Sequence, residues 1–307
     1  MRILIVGAGA TGGYFGGRLA EAGRDVTFLV RFARAKRLRA DGLRIVSPHG
    51  DLTLSPKLVT AGGIDGPFDV VLLTVKAYAL DAALRDLGPA VGPETMILPV
   101  LNGMRHVDAL RERFGAQTVV GCVCKVVSTL DEEGRIIQSL PLQELNYGEL
   151  DGARSPRIER LDAALRDAGF DARLSSEILQ EMWEKWVLVS SVGGATCLMR
   201  GALDEIAAAP GGADFLLAFL AEIGAVAAAA GHAPRADFLE QMQVLLTKQG
   251  AIKASSMYRD LTQGFPVEGE QIIGDLVIRA RDAGVAVPLV AAARTHLSVY
   301  QNRLDAD

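Results

Sequence analysis

The stretch Arg2-Ile3-Leu4-Ile5-Val6-Gly7-Ala8-Gly9-Ala10-Thr11-Gly12 decides the fold. Its first five residues form a nearly continuous apolar run of branched side chains, the pattern of a strand buried on both faces. A helical segment follows through about Ala22 and closes at Gly23, and a second apolar strand runs from Asp25 to Val30. Strand, G-x-G-x-x-G, helix and strand thus follow in order. Gly7 permits the sharp exit from the strand, and Gly9 lets the backbone approach a pyrophosphate with no Cβ in the way. Gly12 lets the helix pack closely on the sheet. The helix N-terminus offers free N–H groups and partial positive charge to phosphates. In this context Gly7, Ala8, Gly9, Ala10, Thr11 and Gly12 are expected to bind a dinucleotide.

The end of the second strand selects the cofactor. An acidic residue there would hold a ribose 2′-hydroxyl. Here the position is Arg31. A cation suits a 2′-phosphate, so NADPH is the expected cofactor. Arg34 and Lys36 read as a solvated basic helix face.

The chain has 307 residues, and at roughly 150 residues per domain two domains are expected. A net charge of −5 argues against a nucleic-acid partner. Hydrophobic residues at 50% and charged residues at 22% exclude a disordered chain. Aromatics are only 6%, so Ala, Val and Leu must build the core. Three cysteines make no disulfide framework and show no metal-finger spacing. The N-terminus lacks a signal-peptide layout. The most apolar helix, around Phe215 to Ala230, is broken by Glu222 and several Gly and Ala and reads as too short and too polar for a membrane span. The expectation is a cytoplasmic protein with no membrane contact, either monomer or homodimer.

Phe68 to Val75 and Thr95 to Leu101 read as further buried strands, ending in Lys76-Ala77-Tyr78 and Asn102-Gly103-Met104. In open parallel sheets, ligands lie beyond the carboxyl ends of strands, which singles out Lys76 and Asn102. Each has a plain alternative, a solvated loop lysine and an Asn-Gly turn. From Val119 the strands shorten: Val119–Val127, Arg135–Ser139 and Leu145–Tyr147, with a hairpin turn at Asp131-Glu132-Glu133-Gly134. These suggest an antiparallel extension of the sheet. A helix near Pro156–Ala168 and a short strand, Asp171–Leu174, close the first domain.

From Ser175 onward strand signals vanish. Helical segments are expected at about Ser176–Arg200, Gly212–Ala230, Ala236–Thr247, Glu268–Ala283 and Pro288–Arg303. The fold class is therefore α/β: an N-terminal Rossmann-type doubly wound sheet, residues 1–175, and a C-terminal all-helical domain, residues 176–307. Ligand sites favour domain interfaces, which places the substrate in the cleft between the halves.

Within the first of these helices, Lys185 lies between Trp183 and Trp186 and runs into an apolar segment. A lysine can snorkel from such a face. Alternatively it is a partly desolvated ammonium with a lowered pKa, able to donate a proton. Ser255-Ser256-Met257 precedes Asp260, and Glu268 opens the next long helix, where a carboxylate also suits the helix dipole. His49, His106, His232 and His296 have no obvious mutual spacing and read as structural or exposed. No metal site is expected.

The sequence resembles the ketopantoate reductase family over essentially its whole length. The resemblance rests on Gly7-Ala8-Gly9-Ala10-Thr11-Gly12, Arg31, Thr74-Val75-Lys76-Ala77, Asn102-Gly103-Met104, Trp183-x-Lys185, Ser255-Ser256-Met257-x-x-Asp260 and Glu268. It implies the 6-phosphogluconate dehydrogenase-like form of the helical domain and NADPH-dependent reduction of 2-dehydropantoate to (R)-pantoate, on the way to pantothenate and coenzyme A. By the same resemblance, Lys185 is the general acid, and Glu268 holds that lysine or a substrate hydroxyl. Asn102 and Lys76 position nicotinamide, ribose and substrate, and Ser256 binds the substrate carboxylate end. Family members often carry Asn four and eight residues after the catalytic lysine. Here Val189 and Gly193 stand there, which implies a more apolar pocket, roomier at Gly193, and an altered choice of substrate. Two alternatives stay open: a reductase of another 2-oxo acid, and a dinucleotide-binding sensor without turnover.

Overall fold

The computed structural model describes residues 1–248 and 255–306. They form two compact units: residues 1–101 with 106–179, and residues 102–105 with the chain from Gln180 onward.

The first unit runs β1 (Arg2–Val6), α1 (Ala10–Glu21), β2 (Asp25–Leu29), α2 (Phe32–Asp41), β3 (Leu43–Val46), β4 (Leu52–Leu54), β5 (Lys57–Val59), β6 (Val70–Leu73), α3 (Leu80–Asp86), β7 (Met96–Pro99), α4 (Arg105–Phe114), β8 (Gly121–Leu130), β9 (Ile136–Gly148), α5 (Pro156–Leu165) and β10 (Asp171–Leu174). Strands β5-β2-β1-β6-β7 make one parallel sheet. The continuous apolar runs predicted this, because β1 and β6 are covered on both faces and Leu4, Ile5, Val71 and Leu73 are fully buried. Each such side chain contributes roughly 1.5–3 kcal/mol on leaving water. The chain leaves β1 toward β2 on one side and returns to β6 on the other. The turn after β1 therefore lies at the switch point of the sheet, where open α/β folds bind ligands.

The expected antiparallel extension is instead a separate sheet, in the order β10-β9-β3-β4 with β8 on β9. Its β8–β9 and β3–β4 pairs are antiparallel, and its β3–β9 and β9–β10 pairs are parallel. The predicted strands Arg135–Ser139 and Leu145–Tyr147 are two ends of the single strand β9. Between them the register shifts, Val126 pairing Gln143 and Ser128 pairing Gln138, so the segment around Pro141 bulges out of the ladder. The hairpin turn falls where expected. Asp131 accepts from the Arg135 backbone N–H at 2.8 Å and from its guanidinium at 2.7 Å.

Helix α1 lies between the sheets, and paired glycines bring it close to both. A Cβ on Gly16 would lie 2.6 Å from the Phe28 ring on the first sheet. A Cβ on Gly17 would lie 2.7 Å from Ile45 on the second, and one on Gly13 would collide with Ile136. Tyr14, Phe15 and Leu19 fill the remaining space, fully buried, and the Tyr14 hydroxyl donates to Gln143 Oε1 at 2.5 Å.

The second unit is helical: α6 (Ile178–Met199), whose first two residues belong to the first unit, α7 (Leu203–Ala208), α8 (Gly212–Ala229), α9 (Ala236–Thr247), α10 (Ser256–Thr262), α11 (Asp275–Asp282) and α12 (Pro288–Ala306). The predicted helix Glu268–Ala283 begins as a π turn at Glu270–Gly274 and continues as α11. Helix α8 packs on α7, α9, α11 and α12. By length and composition α8 is the one helix among the described residues apolar enough to cross a membrane. Its Leu216, Phe219, Leu220, Ile223 and Val226 are buried in the bundle. Its Glu222 carboxylate accepts from the Leu289 and Val290 N–H groups at 3.0 Å, capping α12.

Candidate functional site

In the first unit the glycine loop adopts the geometry its sequence requires. Gly7 has φ +101°, a conformation that disfavours any Cβ. Its N–H donates to Leu29 O at 3.0 Å, tying the turn to β2. A Cβ on Gly12 would collide with the Gly7 carbonyl oxygen and the Thr74 hydroxyl. That hydroxyl donates to Val6 O at 2.8 Å and Gly7 O at 2.9 Å. Thr74 therefore fixes the loop from β6, a role that its place beside Lys76 in the sequence did not reveal. A Cβ on Gly9 would meet nothing within 4 Å, so this residue faces open space at the start of α1. Gly9 is the N-cap and supplies no side-chain acceptor, and the first turn of α1 carries no acidic residue. The N-terminal amides of α1 thus remain suited to an anion.

Arg31 is exposed and caps α2. Arg34, expected to be a solvated cation, is half-buried instead. Its Nε donates to Ala8 O at 3.0 Å and its Nη1 to Gly134 O at 3.2 Å. Its Nη2 is buried with no hydrogen-bond partner among the described residues. Burial, helped by the nearby Arg37 charge, lowers its pKa. The helix period could have found this residue, since Arg34 lies one turn after Arg31. Lys76 is exposed at the end of β6, and its carbonyl accepts from Ala79 N at 2.9 Å. An open glycine approach, a helix N-terminus without acid and an orphaned guanidinium donor together fit a dinucleotide diphosphate.

In the second unit, α6 carries Lys185, Val189 and Gly193 at a spacing of four, on one stripe. Lys185 and Val189 are half-buried and Gly193 is buried. The adjacent Glu184 is engaged elsewhere. It accepts from Arg235 Nε at 2.9 Å, Arg235 Nη2 at 2.5 Å and the Arg235 backbone N–H at 3.1 Å. Burial by itself raises the Glu184 carboxyl, but the Arg235 and Gln180 donors outweigh it and hold the pKa below its ordinary value. Trp183 and Trp186 occupy the buried side of the helix, with ring centroids 5.1 Å apart. Arg279 sits over both rings, and His232 stacks on Trp183 at 5.1 Å. His232 thus has the structural place its sequence suggested, and burial lowers its pKa.

The space expected at Gly193 is taken. A Cβ there would lie 2.9 Å from Met257 Cε, because the start of α10 seats on this end of the stripe. The Ser255 hydroxyl accepts from Tyr258 N at 2.9 Å and lies 3.1 Å from Thr196 Oγ1. Ser255 is therefore the helix cap, and Ser256, exposed, is the first residue of α10. The structure thus brings the Ser-Ser-Met segment onto the Lys185 stripe.

Glu268 is half-buried just before the π turn, and its carbonyl accepts from Ile272 N at 3.0 Å. The π turn is fastened to α6: Ile272 O accepts from Trp186 Nε1 at 2.9 Å and from Ser190 Oγ at 3.4 Å. Asn102, half-buried, follows β7 but belongs to this second unit. Its carbonyl accepts from Gln271 Nε2 at 3.1 Å. Lys185, Glu268 and Asn102 therefore sit on three segments that converge on one π turn. Nothing in the sequence marked Gln271.

Comparison with known proteins identifies the family of the chain. The family described as Ketopantoate reductase PanE/ApbA matches residues 3–152, and its C-terminal counterpart matches residues 177–301. An uncharacterized oxidoreductase, YkpB, of Bacillus subtilis is 34% identical over 301 residues, covering 98% of this chain and 99% of its own. A 2-dehydropantoate 2-reductase of Halobacterium salinarum is 30% identical, covering 94% and 95%. The crystal structure of 2-dehydropantoate 2-reductase from Geobacter metallireducens superposes with a TM-score of 0.87 at 31% identity, covering 97% and 99%. With a parallel Rossmann-like unit, a helical unit and both family domains in order, the chain belongs to the ketopantoate reductase family of oxidoreductases.

Proposed function

We propose that the protein reduces a 2-oxo acid with NADPH, and that 2-dehydropantoate, reduced to (R)-pantoate for pantothenate and coenzyme A synthesis in the cytoplasm, is its substrate. The observation that carries this reading is the convergence of Lys185, Glu268 and Asn102 on one π turn, in a chain whose glycine loop is shaped for a dinucleotide. The cationic surroundings of that loop, Arg31 and Arg34, favour the 2′-phosphorylated cofactor, and Lys76 lies at the neighbouring strand end.

When bound, the dinucleotide supplies the hydride. Negative charge then grows on the substrate carbonyl oxygen. The Lys185 ammonium stabilises that charge and donates the proton that completes the hydroxyl. Glu268 holds Lys185 or a substrate hydroxyl in line. Asn102 orients the reacting groups with its side-chain amide, and Ser256 binds the substrate carboxylate. Glu184 cannot serve in place of Glu268, because Arg235 and Gln180 already occupy its oxygens.

Val189 and the Met257-filled space at Gly193 favour a substrate with an apolar branch over one that needs two amide partners. An unmet hydrogen-bonding group on a buried substrate costs about 1–3 kcal/mol. This supports a second reading, in which another 2-oxo acid is preferred. The deciding experiment follows oxidation of NADPH and of NADH with 2-dehydropantoate and with bulkier and smaller 2-oxo acids, for wild type and Lys185→Ala. The expected result is fast NADPH-dependent turnover of 2-dehydropantoate that collapses in the variant. A faster member of the panel moves the substrate, and no turnover of any 2-oxo acid refutes the reductase reading.

A further inference from the structure

The geometry points to Gln271 as a positioning residue: through the π turn at Glu270–Gly274 it sets Asn102 in register with Lys185 and Glu268. The inference rests on the reductase reading above, and it concerns a residue that touches neither hydride nor proton.

Gln271 is buried, at 6% exposure. A buried amide is costly unless its hydrogen bonds are made. Gln271 Nε2 donates to the Asn102 carbonyl at 3.1 Å. Its own main-chain carbonyl presses on the next residue: a Cβ on Gly103 would lie 2.7 Å from Gln271 O. Gly103 has φ +84°, so only glycine suits both that backbone and that approach. One residue thus holds two consecutive positions of the loop, and the direction of the Asn102 side chain follows from the backbone so fixed.

The other side of the same turn is bound to α6. A π turn carries one extra residue, which displaces carbonyls from the regular ladder. Ile272 O, adjacent to Gln271, accepts from Trp186 Nε1 and Ser190 Oγ. Those donors are the chain neighbours of Lys185 and Val189. On the third side Ile272 N donates to Glu268 O. Two adjacent residues, Gln271 and Ile272, therefore link every segment that bears a proposed reacting or orienting group. Displacement of such a group by about 1 Å can cost on the order of a hundredfold in rate.

The test is a double-mutant cycle. Gln271→Met keeps the length and burial of the side chain and removes the donor. Wild type, Gln271→Met, Asn102→Ala and the double variant are compared for kcat/KM with NADPH and the best 2-oxo acid. Amide hydrogen exchange of the peptide spanning 102–105 is followed in the cofactor-free proteins. Gln271→Met is expected to lower kcat/KM about tenfold and to speed exchange at 102–105, and the rate loss is expected to vanish on the Asn102→Ala background. Unchanged exchange, or a loss of equal size on both backgrounds, overturns the proposal. Should the methionine variant fail to fold, Gln271→Glu decides. Its carboxyl can donate to the Asn102 carbonyl only when protonated, so its activity relative to wild type should rise as pH falls, and a pH-independent ratio overturns the proposal. If wild type turns over no 2-oxo acid, the reductase reading falls while the exchange measurement still judges the clamp.

Discussion

At the scale of single residues, Gly9 and Gly12 separate packing from binding. Both belong to the same six-residue motif, and the sequence gives them similar weight. Their surroundings differ. A Cβ at Gly12 has backbone oxygen and the Thr74 hydroxyl in its way, while a Cβ at Gly9 enters open space. Gly12→Ala should therefore destabilise the cofactor-free protein by about 1–3 kcal/mol, the usual cost of overpacking. Gly9→Ala should leave its stability within about 0.5 kcal/mol. That variant should instead weaken NADPH binding, because its methyl group stands where the pyrophosphate approaches. Urea unfolding without cofactor, followed by fluorescence titration with NADPH, checks both. A destabilised Gly9→Ala would mean the loop is closed in solution. The motif residues were legible because chemistry dictates their type. Arg34 and Gln271 were not: Arg34 lies one turn after Arg31 but reads as a solvated cation, and a glutamine in an apolar run has no distinctive spacing. Only the fold shows that one meets Ala8 O and the other Asn102 O.

At the scale of elements, the parallel sheet was legible because its strands are uniformly apolar and punctuated by glycine. The second sheet was harder to read. Strands β3 and β4 are three or four residues long, too short for alternation to stand out. Strand β9 contains Pro141, which reads as a break and is in fact a bulge. The glycine pairs of α1 did carry a signal, since residues 12, 13, 16 and 17 mark a helix packed on two sides. In the helical unit two carboxylates hold elements together. Glu222→Ala should cost about 0.5–2 kcal/mol by uncapping α12, and thermal unfolding would show it. The Glu184 carboxylate joins α6 to the start of α9 through Arg235. Its pKa is lowered in the folded protein, so the unfolded chain takes up the proton first as pH falls. The stabilisation is complete well above the ordinary value of 4.5 and is lost as pH drops through the lowered native value. Glu184→Gln should therefore cost about 1–3 kcal/mol at neutral pH, toward the low end because Arg235 is 46% exposed, with the gap to wild type closing in acid. Urea midpoints of the two proteins across that range test it, and a gap that persists in acid would assign the loss to packing.

At the scale of the whole molecule, the three thiols of the sequence report separately on the two units. Cys122 and Cys124 are buried in β8 of the first unit, and Cys197 is buried in α6 of the second. Burial pushes the Cys197 thiol up to about 12, so it carries almost no thiolate at neutral pH. None of the three should react quickly with an aromatic disulfide reagent in the native protein, and all three should react after denaturation. Labelling then requires opening of the unit that holds the thiol. A ligand that binds only the folded state suppresses that opening by mass action, about 2.7 kcal/mol or a hundredfold at a hundred times its dissociation constant. NADPH seated on the glycine loop should therefore slow labelling of Cys122 and Cys124 by that factor if the unit opens as a whole, since Ala8 of the loop and both thiols share one hydrophobic core. Mass spectrometry of the labelled peptides gives each rate separately. If Cys122 and Cys124 label equally fast with and without saturating NADPH, while NADPH is shown to bind, the dinucleotide does not sit on the β1–α1 loop. The cofactor assignment would then fall, with the fold left standing.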